Sequence, residues 1–208
     1  MVFNLKLQFR KKNLIDNINI KREKLKKIYI VLTQTKTCPA RIIRLYTREP
    51  YAHASIALDK NLDEMYSFAR RGMYNPFNAG FIREYIDRGV FGRFKSTTCS
   101  IYQLRITEEQ YKKLRSEIDI FNRNKEAYSY NFLGVIGAAF NIPRCSENKY
   151  FCSQFVAHIL KKSGIHIFDK NCALVKPRDI RINPYLEMIY QGKLSEYRIF
   201  KDKLQTAS

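Results

Sequence analysis

The sequence predicts an α+β domain in which an antiparallel sheet packs against helices. Short apolar, β-branched runs recur along the chain, and two segments carry helical periodicity. Strands and helices are mixed but do not alternate as strict β-α-β units, which disfavours a parallel sheet. A length of 208 residues fits one domain, and 45% apolar residues supply a core without disulfide or metal staples.

The elements follow in chain order. Residues 1–27 hold nine Lys/Arg against two acids, a net +7. Phe3, Leu5, Leu7 and Phe9 alternate with polar residues, which fits a short strand or a partly disordered tail. The folded domain is placed at residues 28–208. Ile28 to Leu32 is a buried strand by its β-branched run. Pro39 opens a short helix over Ala40 to Thr47, and Pro50 ends it.

His53 to Asp59 is the next strand. Asp63 to Arg70 returns beside it after a polar turn at Lys60 and Asn61, making a hairpin. Met73 to Phe81 is rich in Gly, Asn and Pro and reads as a connection or a lid. Thr98 to Ile106 is a strand. Thr107 starts a helix to about Asn124: Gln110 completes a capping box, and Tyr111, Leu114, Ile118 and Phe121 form one apolar face. Tyr128 and Tyr130 fall in an apolar stretch and suit either core or cleft lining. A last helix spans Cys152 to Ser163, stopped by Gly164. Ile165 to Phe168 is strand-like.

Composition narrows the function. The longest apolar-leaning run, Phe132 to Ile142, is eleven residues long, well short of the roughly 20 of a membrane span. No export signal is visible, so a soluble, cytoplasmic protein is expected. The five cysteines are odd in number and form no CxxC, as expected of reduced thiols. Cys145, Cys152 and His158 match no common zinc spacing, so neither metal nor cofactor is expected. The net charge of +19 fits an anionic partner or a solvated basic surface. Outside residues 1–27 it is spread without a dense block.

The chemistry concentrates on one cysteine and one histidine. Cys152 begins an apolar helix, where unpaired N–H groups and the helix dipole stabilise a thiolate. On the residues alone it equally suits a small hydrophobe packing the helix start. A nucleophilic thiol also needs a base in reach. His158 is six residues further along the same helix, roughly 240° around the axis, and cannot face it. His53, at the head of its strand, is the histidine free to arrive from elsewhere.

The run "TCPARIIRLYTREPYAHASIALD", Thr37 to Asp59, resembles the entry region of circularly permuted NlpC-type papain-like enzymes. "YFCSQFVAHILKKSGI", Tyr150 to Ile165, is similar to their cysteine-bearing helix. "KPRDI", Lys176 to Ile180, resembles a segment that follows it. The order His before Cys is the permuted one, and the likeness spans residues 28–198. Lecithin:retinol acyltransferase-like proteins belong to the same group.

The resemblance implies a permuted papain-like fold with the nucleophile at a helix N-terminus. Cys152 would form a thioester, His53 would serve as base and acid, and backbone N–H groups at the helix start would hold the oxyanion. The group usually places His or Glu on the strand after the histidine strand, and here that place falls at Ser67. Asp59 is ~20 Å along the strand from His53, and Glu64 is remote near the turn. The expectation is a thiol hydrolase or acyltransferase acting on a small-molecule, peptide or lipid acyl group. The alternative is a papain-like scaffold without turnover that binds a membrane or nucleic acid, with the N-terminal segment adding anionic-surface contact.

Overall fold

The computed structural model describes residues 25–35, 49–72, 75 and 78–206. The N-terminal alternation, the helix expected at Ala40 to Thr47 and residues 73, 74, 76 and 77 of the Met73 to Phe81 loop lie outside the described residues. Six strands form one sheet: β1 (Lys26–Gln34), β2 (His53–Ala57), β3 (Met65–Arg70), β4 (Ala79–Glu84), β5 (Thr98–Ile106) and β8 (Glu187–Lys193). Their order is β4-β3-β2-β1-β5-β8, and every pairing is antiparallel. The molecule is therefore α+β with an antiparallel sheet, as the mixed pattern predicted.

Both faces of the sheet are covered. On one face Ile28, Ile30 and Leu32 of β1 pack with Ile56 and Phe68 under the helix that begins at Cys152. Alternation turns Tyr29 and Val31 to the other face, with Met65, Cys99 and Ile101. This two-sided burial is why β1 reads as a continuous apolar run.

The helices are α1 (Gly89–Arg93), α2 (Glu108–Arg123), α3 (Phe132–Ala139), α4 (Cys152–Lys162), α5 (Pro177–Arg181) and α6 (Tyr197–Thr206). The cap of α2 is as the sequence predicts. Thr107 Oγ1 accepts from the Gln110 N–H at 3.1 Å, and Gln110 Oε1 accepts from the Thr107 N–H at 3.0 Å. Gly164, at φ +75°, follows the end of α4 in the left-handed region that favours glycine. α2 and α4 meet the sheet through an aromatic cluster: the Phe155 ring centroid lies 5.2 Å from both Phe68 and Phe121, and 5.6 Å from Phe81.

Several elements escaped the sequence reading. β4 lies partly within the segment assigned to a loop, because Ala79 and Gly80 carry no strand signal. Gly80 is instead a close-approach position: a Cβ there would sit 2.5 Å from the Tyr128 carbonyl oxygen. β8 is a half-exposed edge strand without apolar alternation. Ile165 to Phe168 forms no strand. The parallel pair β6 (Ser129–Tyr130) and β7 (Lys149–Tyr150), and helices α1, α3, α5 and α6, were also unforeseen. α5 is the KPRDI segment, where Asp179 accepts from the Lys176 N–H at 2.8 Å.

Phe155 joins α4 to the sheet with no exposed surface. Phe155→Ala is expected to cost about 3–5 kcal/mol, measured by urea unfolding. A loss under 1 kcal/mol would mean that this cluster does not anchor the helix.

Candidate active site

Four polar side chains share one face at one end of the sheet. His53 and Ser55 are two apart on β2, and so project together. Ala57 pairs with Met65, which pairs with Glu84. Alternation then sets Ser67 on the same face as all three. The β2–β3 ladder holds only Ile56↔Tyr66 and Ala57↔Met65. Beyond these pairs, toward His53, the strands share no ladder.

Glu84 of β4 reaches the histidine. His53 Nε2 lies 2.9 Å from Glu84 Oε1, and Ser55 Oγ donates to Glu84 Oε2 at 2.5 Å. Ser55 Oγ is also 3.3 Å from His53 Nε2. Burial pushes the Glu84 carboxyl up, but the His53 charge, with Ser55 and Ser67, brings it below its ordinary value. The carboxylate is therefore ionised beside an imidazolium.

Cys152 is the first residue of α4, with Phe151 as N-cap. Its thiol lies beside His53, close enough for the imidazole to act on its charge. With Nε2 held by Glu84, Nδ1 is the ring nitrogen left for the sulfur. Burial lowers the His53 pKa, but the Glu84 charge and the Cys152 contact outweigh it and raise it to about 10. Burial also disfavours the thiolate. The His53 hydrogen bond and charge, with backbone N–H groups of Ala54 and Ser153, bring the Cys152 pKa below the ordinary thiol value. Both shifts favour a thiolate–imidazolium pair beside the Glu84 carboxylate.

The other described cysteines lack this setting. Cys99 is fully buried, and desolvation pushes its pKa up to about 12. Burial also raises Cys172. Cys145 is exposed. No group of three or more His, Cys, Asp or Glu among the described residues is arranged to hold a metal.

Beside the pair lies a cleft of about 580 Å³ over the β2–β4 end of the sheet, between α1 and α3. Its lining is mostly apolar and includes Phe91, Tyr130, Phe132 and Ile136, with His53 and Glu84 among the few polar groups. Thr33 Oγ1 also lines it, buried and without a hydrogen-bond partner among the described residues. Tyr130 stands between cleft and thiol. Burial raises its pKa well above the ordinary value, and the adjacent Cys152 charge and hydrogen bond raise it further.

The geometry sorts the residues singled out in the sequence. His53 and Cys152 meet. Ser67 is fully buried on the expected face, but its hydroxyl lies beside Glu84 without a well-formed hydrogen bond, and the partner of the imidazole is Glu84. Tyr130 lines the cleft rather than serving only as core. Asp59 instead accepts three backbone N–H bonds in the β2–β3 turn, and Glu64 pairs with Arg115 at 2.7 Å. His158 packs its ring against Tyr150 at 4.9 Å, away from the thiol. The one signal for Glu84 was an acid two residues after Ile82, on that residue's side of the alternation, legible only once the run is taken as a strand.

No protein-family model matches the chain, and none of the curated proteins is significantly similar to it.

The ion pair predicts a pH profile. Alkylation of Cys152 by iodoacetamide should rise at a pH below the roughly 8.5 of a free thiol. It should then hold steady until His53 deprotonates at about 10. Glu84→Gln removes the charge that keeps His53 protonated, so the rise moves to higher pH. An unmoved profile would show that Glu84 does not support the pair.

Proposed function

We propose that this protein is a cysteine hydrolase or acyltransferase with a permuted papain-like fold, working through a Cys152 thioester. The observation that carries the reading is the Cys152–His53–Glu84 chain of contacts at the start of a helix and the edge of an apolar cleft. Papain-like chemistry needs these three roles: a thiolate, a proton carrier and a group that orients it.

The thiolate attacks the carbonyl carbon of an ester or amide, and the carbonyl electron pair moves to oxygen. The Cys152 N–H at the helix start and the Tyr130 hydroxyl are the donors placed to hold that oxyanion. Collapse expels the leaving group, which takes its proton from the His53 imidazolium, and a thioester remains on Cys152. Neutral His53 then removes a proton from water, giving hydrolysis, or from an acceptor alcohol or amine, giving acyl transfer. Glu84 keeps its proton count throughout. It fixes the ring and stabilises its charged form.

An idle scaffold is the less favoured reading. It rests on the net charge of +19 and on the uncharged Ser67 at the third position, and Glu84 beside His53 weighs against the second of these.

The test is an activated ester. Incubation with p-nitrophenyl acetate should acetylate Cys152 ahead of the exposed Cys145, as read by mass spectrometry of the peptides. Cys152→Ala should abolish the burst, and His53→Ala should slow acylation by about 10²–10⁴-fold. If Cys152 labels no faster than Cys145 and His53→Ala changes nothing, the reading fails.

A further inference from the structure

Helix α3 has an inverted surface. Its buried positions are the small residues Gly134, Gly137 and Ala138. Gly137 packs so closely that a Cβ there would lie 2.5 Å from the Ile142 carbonyl oxygen. The large apolar side chains point outward instead: Leu133 is 72% exposed, Ile136 56% and the following Ile142 50%. An ordinary surface helix does the reverse. The eight residues of α3 carry no charge, and a contiguous exposed apolar patch of this kind marks an interaction surface.

What surrounds the patch indicates its partner. Arg144 lies exposed on the loop after α3 and Lys149 at the exposed start of β7, and the Lys176 ammonium reaches Asn141 at 3.3 Å. Across the cleft, Arg70 and the largely exposed Arg88 line the opposite wall. Among the described residues Arg70 forms no ion pair, and the only acid lining the cleft is Glu84, which His53 occupies. Phe132, Val135 and Ile136 of α3 are themselves cleft lining. An apolar ridge flanked by cations complements a surface of acyl chains beneath anionic headgroups.

We propose that α3 and the flanking Arg70, Arg88, Arg144 and Lys149 form a face that docks on an anionic lipid bilayer, with the cleft mouth opening onto it. Leu133, Ile136 and Ile142 enter the acyl boundary, and the cations meet the headgroups. The proposal stands apart from the chemistry at Cys152, since docking needs neither thiol nor histidine.

The chain contains no tryptophan, so Leu133→Trp introduces a single reporter. Its emission should shift to the blue when vesicles of phosphatidylcholine with phosphatidylglycerol are added. Co-sedimentation of the full chain with those vesicles should weaken at least about tenfold in Leu133→Ser/Ile142→Ser. It should also weaken as salt rises. Circular dichroism and Cys152 alkylation in the absence of vesicles check that the double variant is folded with an intact site. Three results would overturn the proposal. One is no blue shift. Another is vesicle binding unchanged in the double variant, which would place binding elsewhere, such as the basic residues 1–27. The third is a solution dimer that the double variant converts to monomer, which would assign the ridge to a second copy of the chain.

Discussion

A carboxylate only 8% exposed, at the end of a strand, is unfavourable unless a cation and hydrogen bonds replace its water. Glu84 receives both from β2: a charged imidazole from His53 and a hydroxyl from Ser55. The arrangement of the sheet edge follows from this need. β2 and β3 share no ladder at their His53 ends, and a side chain of β4 meets one of β2 two strands away. The same contact raises the His53 pKa to about 10, and the raised His53 in turn lowers that of Cys152. Removal of the carboxylate would relax each later link.

The rest of the fold delivers Cys152 to that histidine. α4 is fixed by its apolar side to the face of the sheet opposite Ser55 and Ser67, chiefly through Phe155 and its ring neighbours. Its first residue therefore comes to the point where β2 begins. β6 and β7 hold the approach to the helix: Asn131 N–H donates to the Tyr150 carbonyl at 3.0 Å, and Tyr130 pairs in register with Tyr150. One short parallel pair thus brings the Tyr130 phenol to the cleft wall and leads the chain into Cys152 behind it.

Elements with strong local signals were legible. The boundaries of β5 match the apolar run Thr98 to Ile106, and α2 carries the capping box foreseen from Thr107 and Gln110. Cys152 as the first residue of a helix was also legible, from the apolar spacing behind it and Gly164 ahead. Elements whose residues answer to neighbours rather than to their own period were not. Gly80 signalled a turn but serves a close approach to Tyr128, and this hid β4 and Glu84 with it. α3 is built on buried glycines with its large side chains outside, so its pattern ran opposite to that of an ordinary helix.

By itself the sequence determined an α+β chain, the helix that begins at Cys152 and the strand that begins at His53, because these rest on local periodicity and caps. Pairing the two residues needed the tertiary structure, since a contact across about a hundred residues leaves no local trace. The third member of the group was decided there as well. Strand order determines which acid lies across from a histidine. With β3 between β2 and β4, the imidazole meets Glu84 of β4 rather than Ser67 of β3.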